Sequence, residues 1–373
     1  MCTNQIRILQ IGAGSMGMRR MRDAVKRHEV SLAVYDQHRE RGIAAAGSFD
    51  IPYFATLEQA LAWKPNALVI STPPDQHASY VQLAMDRGLH HFCEANIWTD
   101  DWCQIELESE KHQLISAPSC SFHFHPLVTA LKHAVSSELG TLHGFHYCLS
   151  TYMPDWHPQE GNEYYARQRN TSAGREMVPF ELLWLNDIFG VPLAANGVVR
   201  QRSRLGDKLE DSWYLQIELE DGAVGHFSVF MGGPAALRQG WCIGEKGLIE
   251  FDVWRGTVRR RMNNQTDTIQ SFGLLPDVIE AIYERETTAF LDALMGTTRW
   301  PMNYHTASIA TATLAAAELS SLSECKKKVD PNHQPALLPM DQVLRSHQHH
   351  GLPHNRDPAS IKSVLDRLKY SSR

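Results

Sequence analysis

Along the first third of the chain, short apolar blocks alternate with amphipathic stretches. Ile6, Ile8, Leu9 and Ile11 form the first block, followed by Ser31–Tyr35, Ala67–Thr72, His90–Asn96 and Leu114–Ser121. Short apolar runs bounded by glycine or proline read as buried strands, and Pro73-Pro74 closes the third of them. Between the blocks, Arg39–Ala46, Leu57–Trp63, Asp75–Arg87 and a stretch from Thr99 to about His112 read as helices. Thr56 and Gln59 have capping-box spacing, and Gly88 is placed to end its helix. Phe49–Phe54 is expected as an edge strand or extended link. Strands alternating with helices predict an α/β unit, a doubly wound parallel sheet that binds ligands outside the carboxyl ends of its strands.

After about Ser121 the pattern changes. Pro126–Glu138 reads as a crossover helix ending at Gly140, and longer alternating strands follow from Thr141–Ser150 onward. Trp213–Glu220 and Val224–Met231 meet at Asp221-Gly222, a strong hairpin signal, and Leu248–Val253 pairs with Thr257–Met262 across Arg255-Gly256. These predict an α+β unit with a large, open, mostly antiparallel sheet. Pro276–Met295 and Tyr304–Leu322 read as helices. The chain from Pro331 is polar and His-rich, with one terminal helix expected at Ala359–Tyr370.

Composition narrows the functional classes. A length of 373 residues suits two units, and 43% hydrophobic with 21% charged residues fits a globular protein. The net charge of −6 argues against nucleic-acid binding, since no basic stripe is available to neutralise phosphates. No apolar run reaches the length of a membrane span. The first strand begins within a few residues of Met1, so no signal peptide is expected. The 7 cysteines include no C-x-x-C pair, which reads as reduced thiols in the cytoplasm. Cys93 and Cys120 fall in expected buried strands, where a small apolar role suits them.

The most informative stretch is Ile6–Met21, where the first strand runs into Gly12, Gly14 and Gly17 and then a helix. In such a G-x-G-x-x-G the first glycine allows the tight turn. The second lets a pyrophosphate approach the backbone, and the third lets helix and strand pack closely. The helix N-terminus then faces the phosphates. Asp36, at the end of the second strand, is placed to accept from an adenosine ribose and to repel a 2′-phosphate. NAD is therefore the expected cofactor; Arg39 and Arg41 soften the preference toward NADP. Residues 1–121 are read as the dinucleotide-binding domain, 122–330 as a substrate and oligomerisation domain, and 331–373 as a polar tail.

Several motifs together resemble the Gfo/Idh/MocA oxidoreductases. They are Gly12-Ala13-Gly14-Ser15-Met16-Gly17, Ser71-Thr72-Pro73-Pro74 with His77, Glu94, Phe122-His123-Phe124-His125-Pro126, Gly244-Glu245-Lys246-Gly247, and Tyr283–Leu294 with Trp300-Pro301. The resemblance implies a cofactor site including Ser15, Met16, Thr72, Pro73, His77 and Glu94. It also implies hydride transfer at an inter-domain cleft, a sugar or cyclitol substrate and a homo-oligomer, dimer or tetramer. Two departures stand out. The family's Glu-Lys-Pro, whose lysine serves as acid/base, is here Glu94-Ala95-Asn96. The histidine of its D-x-G-x-H-x-x-D pattern is missing from Gly174–Trp184.

Oxidising an alcohol needs a base for the hydroxyl proton. Tyr152–Tyr165 gathers Asp155, His157, Glu160, Tyr164 and Tyr165 on one polar, aromatic loop. His157 is the first expected proton carrier, with Asp155 orienting it, and a surface imidazole in a turn is the plain alternative. Glu181, a lone carboxylate on an apolar helix, is the second candidate; its alternative is an ion pair with Arg175 or another base. His123, His125, Tyr164 and Tyr165 are expected substrate contacts. The His123-x-His125 pair leaves third and fourth ligands unspecified, so zinc is a minor reading beside contact with substrate or cofactor or a satisfied core histidine, and no metal site is assigned. Arg167, Arg169 and Arg175 suit an anionic group on the substrate, or plain surface charge. The leading expectation is an NAD-dependent oxidoreductase. Against it stand a catalytically altered NAD-binding protein and an enzyme that keeps NAD bound through an internal redox cycle.

Overall fold

The computed structural model describes residues 5–96, 102–158, 164–203, 205 and 209–332. Its first unit runs β1 (Ile6–Ile11), α1 (Ser15–Ala24), β2 (Val30–Tyr35), α2 (Arg39–Phe49), β3 (Tyr53–Phe54), α3 (Leu57–Ala62), β4 (Ala67–Ile70), α4 (His77–Asp86), β5 (His90–Cys93), α5 (Trp102–Lys111) and β6 (Ser116–Pro118). The strands pair in parallel in the order β3-β2-β1-β4-β5-β6. Strand order reverses between β1 and β4, which opens a crevice at their carboxyl ends. The expected apolar blocks form the strands because helices cover both faces of the sheet: Ile8, Leu9, Leu68 and Ile70 are fully buried. Phe49–Phe54 departs from expectation. Helix α2 continues through Phe49 until Asp50, in the left-handed region at φ 53°, ends it, so only Tyr53–Phe54 joins the sheet.

The second unit contains α6 (Pro126–Ser137), β7 (Leu142–Tyr152), α7 (Ala173–Phe189), β8 (Pro192–Arg200), β9 (Ser212–Leu219), β10 (Val224–Phe230), β11 (Gly232–Gly244), β12 (Gly247–Asp252), β13 (Thr257–Met262), β14 (Thr268–Ser271), α8 (Leu275–Leu294), α9 (Tyr304–Ser323) and β15 (Lys327–Lys328). The nine strands order as β14-β13-β12-β11-β7-β10-β9-β8-β15. Every neighbouring pair is antiparallel except β7 and β10, which the intervening α7, β8 and β9 bring side by side in parallel. Trp213, Phe227, Tyr147 and Phe251 point to one face and are buried with Leu182 and Leu185 of α7 and Leu314 of α9. The opposite face carries Val198, Tyr214, Trp241 and Ile243, all exposed. Two helices return to the first unit: α8 inserts Phe290 and Leu291 beside Phe92, and α9 sets Tyr304 against Trp102. No helix of the described residues is long and apolar enough to cross a membrane. The expected cap at Thr99, the His347–His350 cluster and the helix at Ala359–Tyr370 lie outside the described residues.

His91 shows how burial is set by this packing. Its ring is fully buried on β5, 5.7 Å from the Tyr304 ring, with Nε2 2.9 Å from Ser116 Oγ. Burial, with a small contribution from neighbouring His90, lowers its pKa to about 4. A folded-state value below the unfolded one means that stability is present above about pH 6.5 and is lost as pH falls toward 4. The full shift corresponds to about 3 kcal/mol. His91→Gln should therefore flatten stability against pH between those values in urea titrations; an unchanged acid slope would exclude His91 as a source.

Candidate active site

The glycine loop is built by close approaches. Gly12 has φ +87°, and a Cβ there would lie 2.5 Å from the Ser71 carbonyl oxygen of the neighbouring strand end. A Cβ on Gly17 would lie 2.0 Å from the Gly12 carbonyl oxygen. Gly14 differs: nothing stands within 4 Å of its Cβ position, and no side chain caps the N-terminus of α1 that it begins. An open approach to uncapped helix N–H groups is what a pyrophosphate requires. Nearby, Thr72 Oγ1 is buried without a partner among the described residues. Asp36 is buried, its Oδ2 accepting from the Ala13 N–H at 2.7 Å and its Oδ1 from the His38 N–H at 2.7 Å. The Arg41 guanidinium binds both oxygens, at 2.8 and 3.0 Å. Gly12, Gly14, Ser15, Met16, Asp36 and Thr72 thus fit a dinucleotide.

These residues form one end of a cavity of about 680 Å³. From the loop it passes Thr72, Pro73, His77, Glu94 and Ala95, then reaches Ser150 and Thr151 at the end of β7. Trp156, His157, Tyr164 and Tyr165 bound it from the rim, Glu176 and Phe180 from α7, Arg238 from β11 and Tyr283 from α8. Of the expected site residues, Gly12, Gly14, Ser15, Met16, Asp36, Thr72, Pro73, His77, Glu94, His157, Tyr164 and Tyr165 line it. Gly17 supports the loop from beneath. The His157 and Tyr164 rings lie 4.8 Å apart. Glu160 lies outside the described residues.

Several expected residues are not brought to the cavity: Glu181, His123, His125 and Asp155, and the arginines Arg167, Arg169 and Arg175. Glu181 is fully buried behind its wall, accepting from Tyr147 Oη at 2.5 Å and Trp184 Nε1 at 2.9 Å and pairing with Arg238 at 2.6 Å. The ion-pair alternative therefore describes it, with Arg238 as partner; Arg175 instead pairs with buried Glu318 at 2.9 Å. His125 is buried, and its Nδ1 caps α6 by accepting from the Leu127 N–H at 3.1 Å, a role that suits the neutral ring. Burial, with Arg238 and Arg285 near, keeps it neutral down to about pH 4. His123 meets Asp187 at 3.5 Å. Asp155 is exposed and does not line the cavity. Arg169 pairs with Glu210.

Three features of the site went unnamed in the sequence. Arg20 of α1, fully buried, donates to Glu94 at 2.7 and 3.1 Å and to Glu286 of α8 at 2.7 Å. Arg238 lies in the glycine-rich run that forms β11, its guanidinium 4.6 Å from the Phe122 ring. Glu176 stands in the first turn of α7, which Ser172 caps. Asn96 explains one departure from the Glu-Lys-Pro pattern. It sits at φ +69°, a conformation closed to proline, and its Nδ2 donates to the Glu176 carbonyl at 2.6 Å.

A parallel sheet with a glycine loop at its switch point and a cavity shared with a second sheet defines a two-unit, dinucleotide-binding architecture. Residues 6–100 match the model of an oxidoreductase family with an NAD-binding Rossmann fold, Gfo/Idh/MocA. Through this domain the chain is similar to the Gfo/Idh/MocA oxidoreductases. A stretch of 150 residues is 28% identical to D-xylose 1-dehydrogenase (NADP(+)) 2 of Haloferax volcanii, covering 39% of this chain. The chain thus spans about half the length, 46%, of that curated relative. Two solved structures share the fold over most of both chains. GenD2 from gentamicin A biosynthesis, in complex with NAD, has a TM-score of 0.72 at 21% identity, covering 88% of this chain and 97% of its own. Levoglucosan dehydrogenase, in complex with NADH and levoglucosan, has a TM-score of 0.75 at 14% identity, covering 87% and 99%.

Proposed function

We propose that the protein is an NAD(P)-dependent oxidoreductase that moves a hydride between nicotinamide and a CH–OH carbon of a sugar, cyclitol or sugar derivative. The observation that carries this reading is the continuity of one cavity from the Gly12–Gly17 loop to a chamber walled by Ser150, Thr151, His157, Tyr164 and Arg238. Hydroxyl, imidazole and guanidinium groups beside aromatic faces suit a polyhydroxylated ring, whose C–H faces stack while its hydroxyls bond. His157 and Tyr164 are proposed to contact the substrate. The relatives named for xylose and levoglucosan support the same substrate class. The test is a panel of sugars, cyclitols and sugar nucleotides followed at the reduced-nicotinamide absorbance band. Substrate-dependent reduction or oxidation is expected; tight NAD binding with no signal across the panel would favour a non-enzymatic or internal-redox role.

NAD is proposed as the preferred cofactor, with NADP accepted. Asp36 faces the expected ribose position, yet Arg41, half-exposed, already offsets its charge and is available to a 2′-phosphate. Arg41→Ala should weaken NADP relative to NAD by roughly tenfold or more, the value of a charge-assisted contact. An unaltered NAD:NADP affinity ratio in calorimetry would remove Arg41 from that role. A cytoplasmic setting suits the cofactor and the free thiols. A homo-oligomer, dimer or tetramer, built through the exposed sheet face of Val198, Tyr214, Trp241 and Ile243 completes the proposal; a monomer in sedimentation would contradict it.

A further inference from the structure

Hydride transfer from an alcohol leaves a hydroxyl proton that must be accepted, and Ala95 and Asn96 carry no group that can take it. Three of the carboxyl and imidazole groups on the cavity wall are already committed. Asp36 is held by Arg41 and two backbone N–H groups at the dinucleotide end. Glu94 is gripped at both oxygens by Arg20. His77 is buried with its two ring nitrogens 2.8 and 3.1 Å from the Thr72 and Asn96 carbonyl oxygens.

Resting on the oxidoreductase reading, we propose that Glu176, steadied by Tyr165, is the proton carrier of the redox step. Glu176 lines the chamber beside Ala95, Met177 and Phe180, and Tyr165 Oη donates to its Oε2 at 3.2 Å. Its backbone is fixed twice over, by its own N–H donating to the Ser172 carbonyl at 2.9 Å and by the Asn96 amide on its own carbonyl. The apolar wall and the like charge of Glu94 raise its carboxyl to about 7, with the Tyr165 hydrogen bond opposing. Both protonation states are then populated near neutrality, as acid/base work requires. The charged and titratable groups facing it are Tyr165 from the rim and Glu94 from the end of β5; His157, Tyr164, Arg238 and Tyr283 share the chamber wall.

In the oxidising direction the substrate O–H bond breaks and its proton passes to the Glu176 carboxylate. A dinucleotide held by the Gly12–Gly17 loop would take the electron pair of the C–H bond as hydride while the carbonyl forms. Alcohol and NAD⁺ thus give carbonyl compound, NADH and one proton, which the Glu176 carboxyl later releases to water. Reduction runs the same transfers backward.

The test uses the full chain and its Glu176→Gln, Glu176→Asp and Tyr165→Phe variants. Difference infrared spectroscopy of the cofactor-free protein should show a carboxyl titrating near neutral pH. That signal should vanish in E176Q and move to higher pH in Y165F, which loses the donor that favours the carboxylate. With a substrate from the panel, E176Q should lose roughly 10²–10⁴-fold in kcat while binding NAD normally, and E176D should recover part of the loss. A titrating carboxyl retained in E176Q, or a rate within a few-fold of wild type, overturns the proposal alone. A wild-type protein silent on every substrate overturns the oxidoreductase reading, and the proposal falls with it.

Discussion

Arg20→Leu is expected to destabilise the protein by roughly 3–5 kcal/mol, the cost of leaving buried carboxylates without their partner. The Arg20 guanidinium is enclosed between the Phe92 ring, 4.6 Å away, and the carboxylates of Glu94 and Glu286. It also donates to Thr287 Oγ1 and the Tyr283 carbonyl of α8. Glu286 is fully buried and, besides Arg20, accepts from Ser119 Oγ, the Cys120 N–H and Ser121 Oγ. One cation therefore ties α1, the end of β5 and α8 across the two units. Without it, Glu94, whose carboxyl burial already raises against the pull of Arg20, takes up a proton more readily when folded than when unfolded. Such a group adds stability at low pH and loses it as pH rises, so the deficit should be larger at pH 7 than at pH 5. Urea unfolding at the two pH values reads both effects. An unchanged midpoint would show that the network contributes nothing net.

Gly14→Val is expected to abolish dinucleotide binding while leaving the fold intact. The position above Gly14 is open, so a side chain there meets no protein atom within 4 Å at its Cβ. The same space is the approach to the N–H groups of α1, and branched methyls would fill it. Affinity for NAD should fall by roughly two orders of magnitude or more, about 3 kcal/mol, with little change in the unfolding transition. Gly17→Val provides the contrast: its Cβ would lie 2.0 Å from the Gly12 carbonyl oxygen, so folding itself should suffer. NAD binding unchanged in Gly14→Val would contradict the assignment of the loop.

What could be read in advance and what could not divide along a physical line. Gly12, Gly17 and Asp36 were legible because their requirements are local: a turn, a close helix–strand approach, and an acid at the end of a strand. The alternating blocks of the first unit were legible for a similar reason, since burial on both faces leaves a continuous apolar signature. Strand β11 was not, because its Gly-Gly-Pro start and Arg238-Gln239 interior resemble a loop until β7 and β12 supply partners on either side. Glu176 and Glu181 make the same point within one helix. Five residues apart, they face directions about 140° apart, and nothing in Gly174–Trp184 says which faces the cavity. The sheet beneath α7 decides it, sealing Glu181 against Tyr147 and Arg238 and leaving Glu176 on the chamber wall. His125 misled for a related reason: a histidine before Pro126 at a predicted cleft looks like a ligand, but serves as a helix cap.

The measurement that bears most directly on the account is isotope transfer. The protein would be incubated with NAD⁺ and pooled sugars and cyclitols deuterated at every carbon, and the recovered nicotinamide analysed by mass spectrometry. Reduced coenzyme carrying one deuterium, formed only with protein present, is the predicted result. Bound NAD that never acquires deuterium from any member of the pool would contradict hydride transfer from a CH–OH carbon at this site.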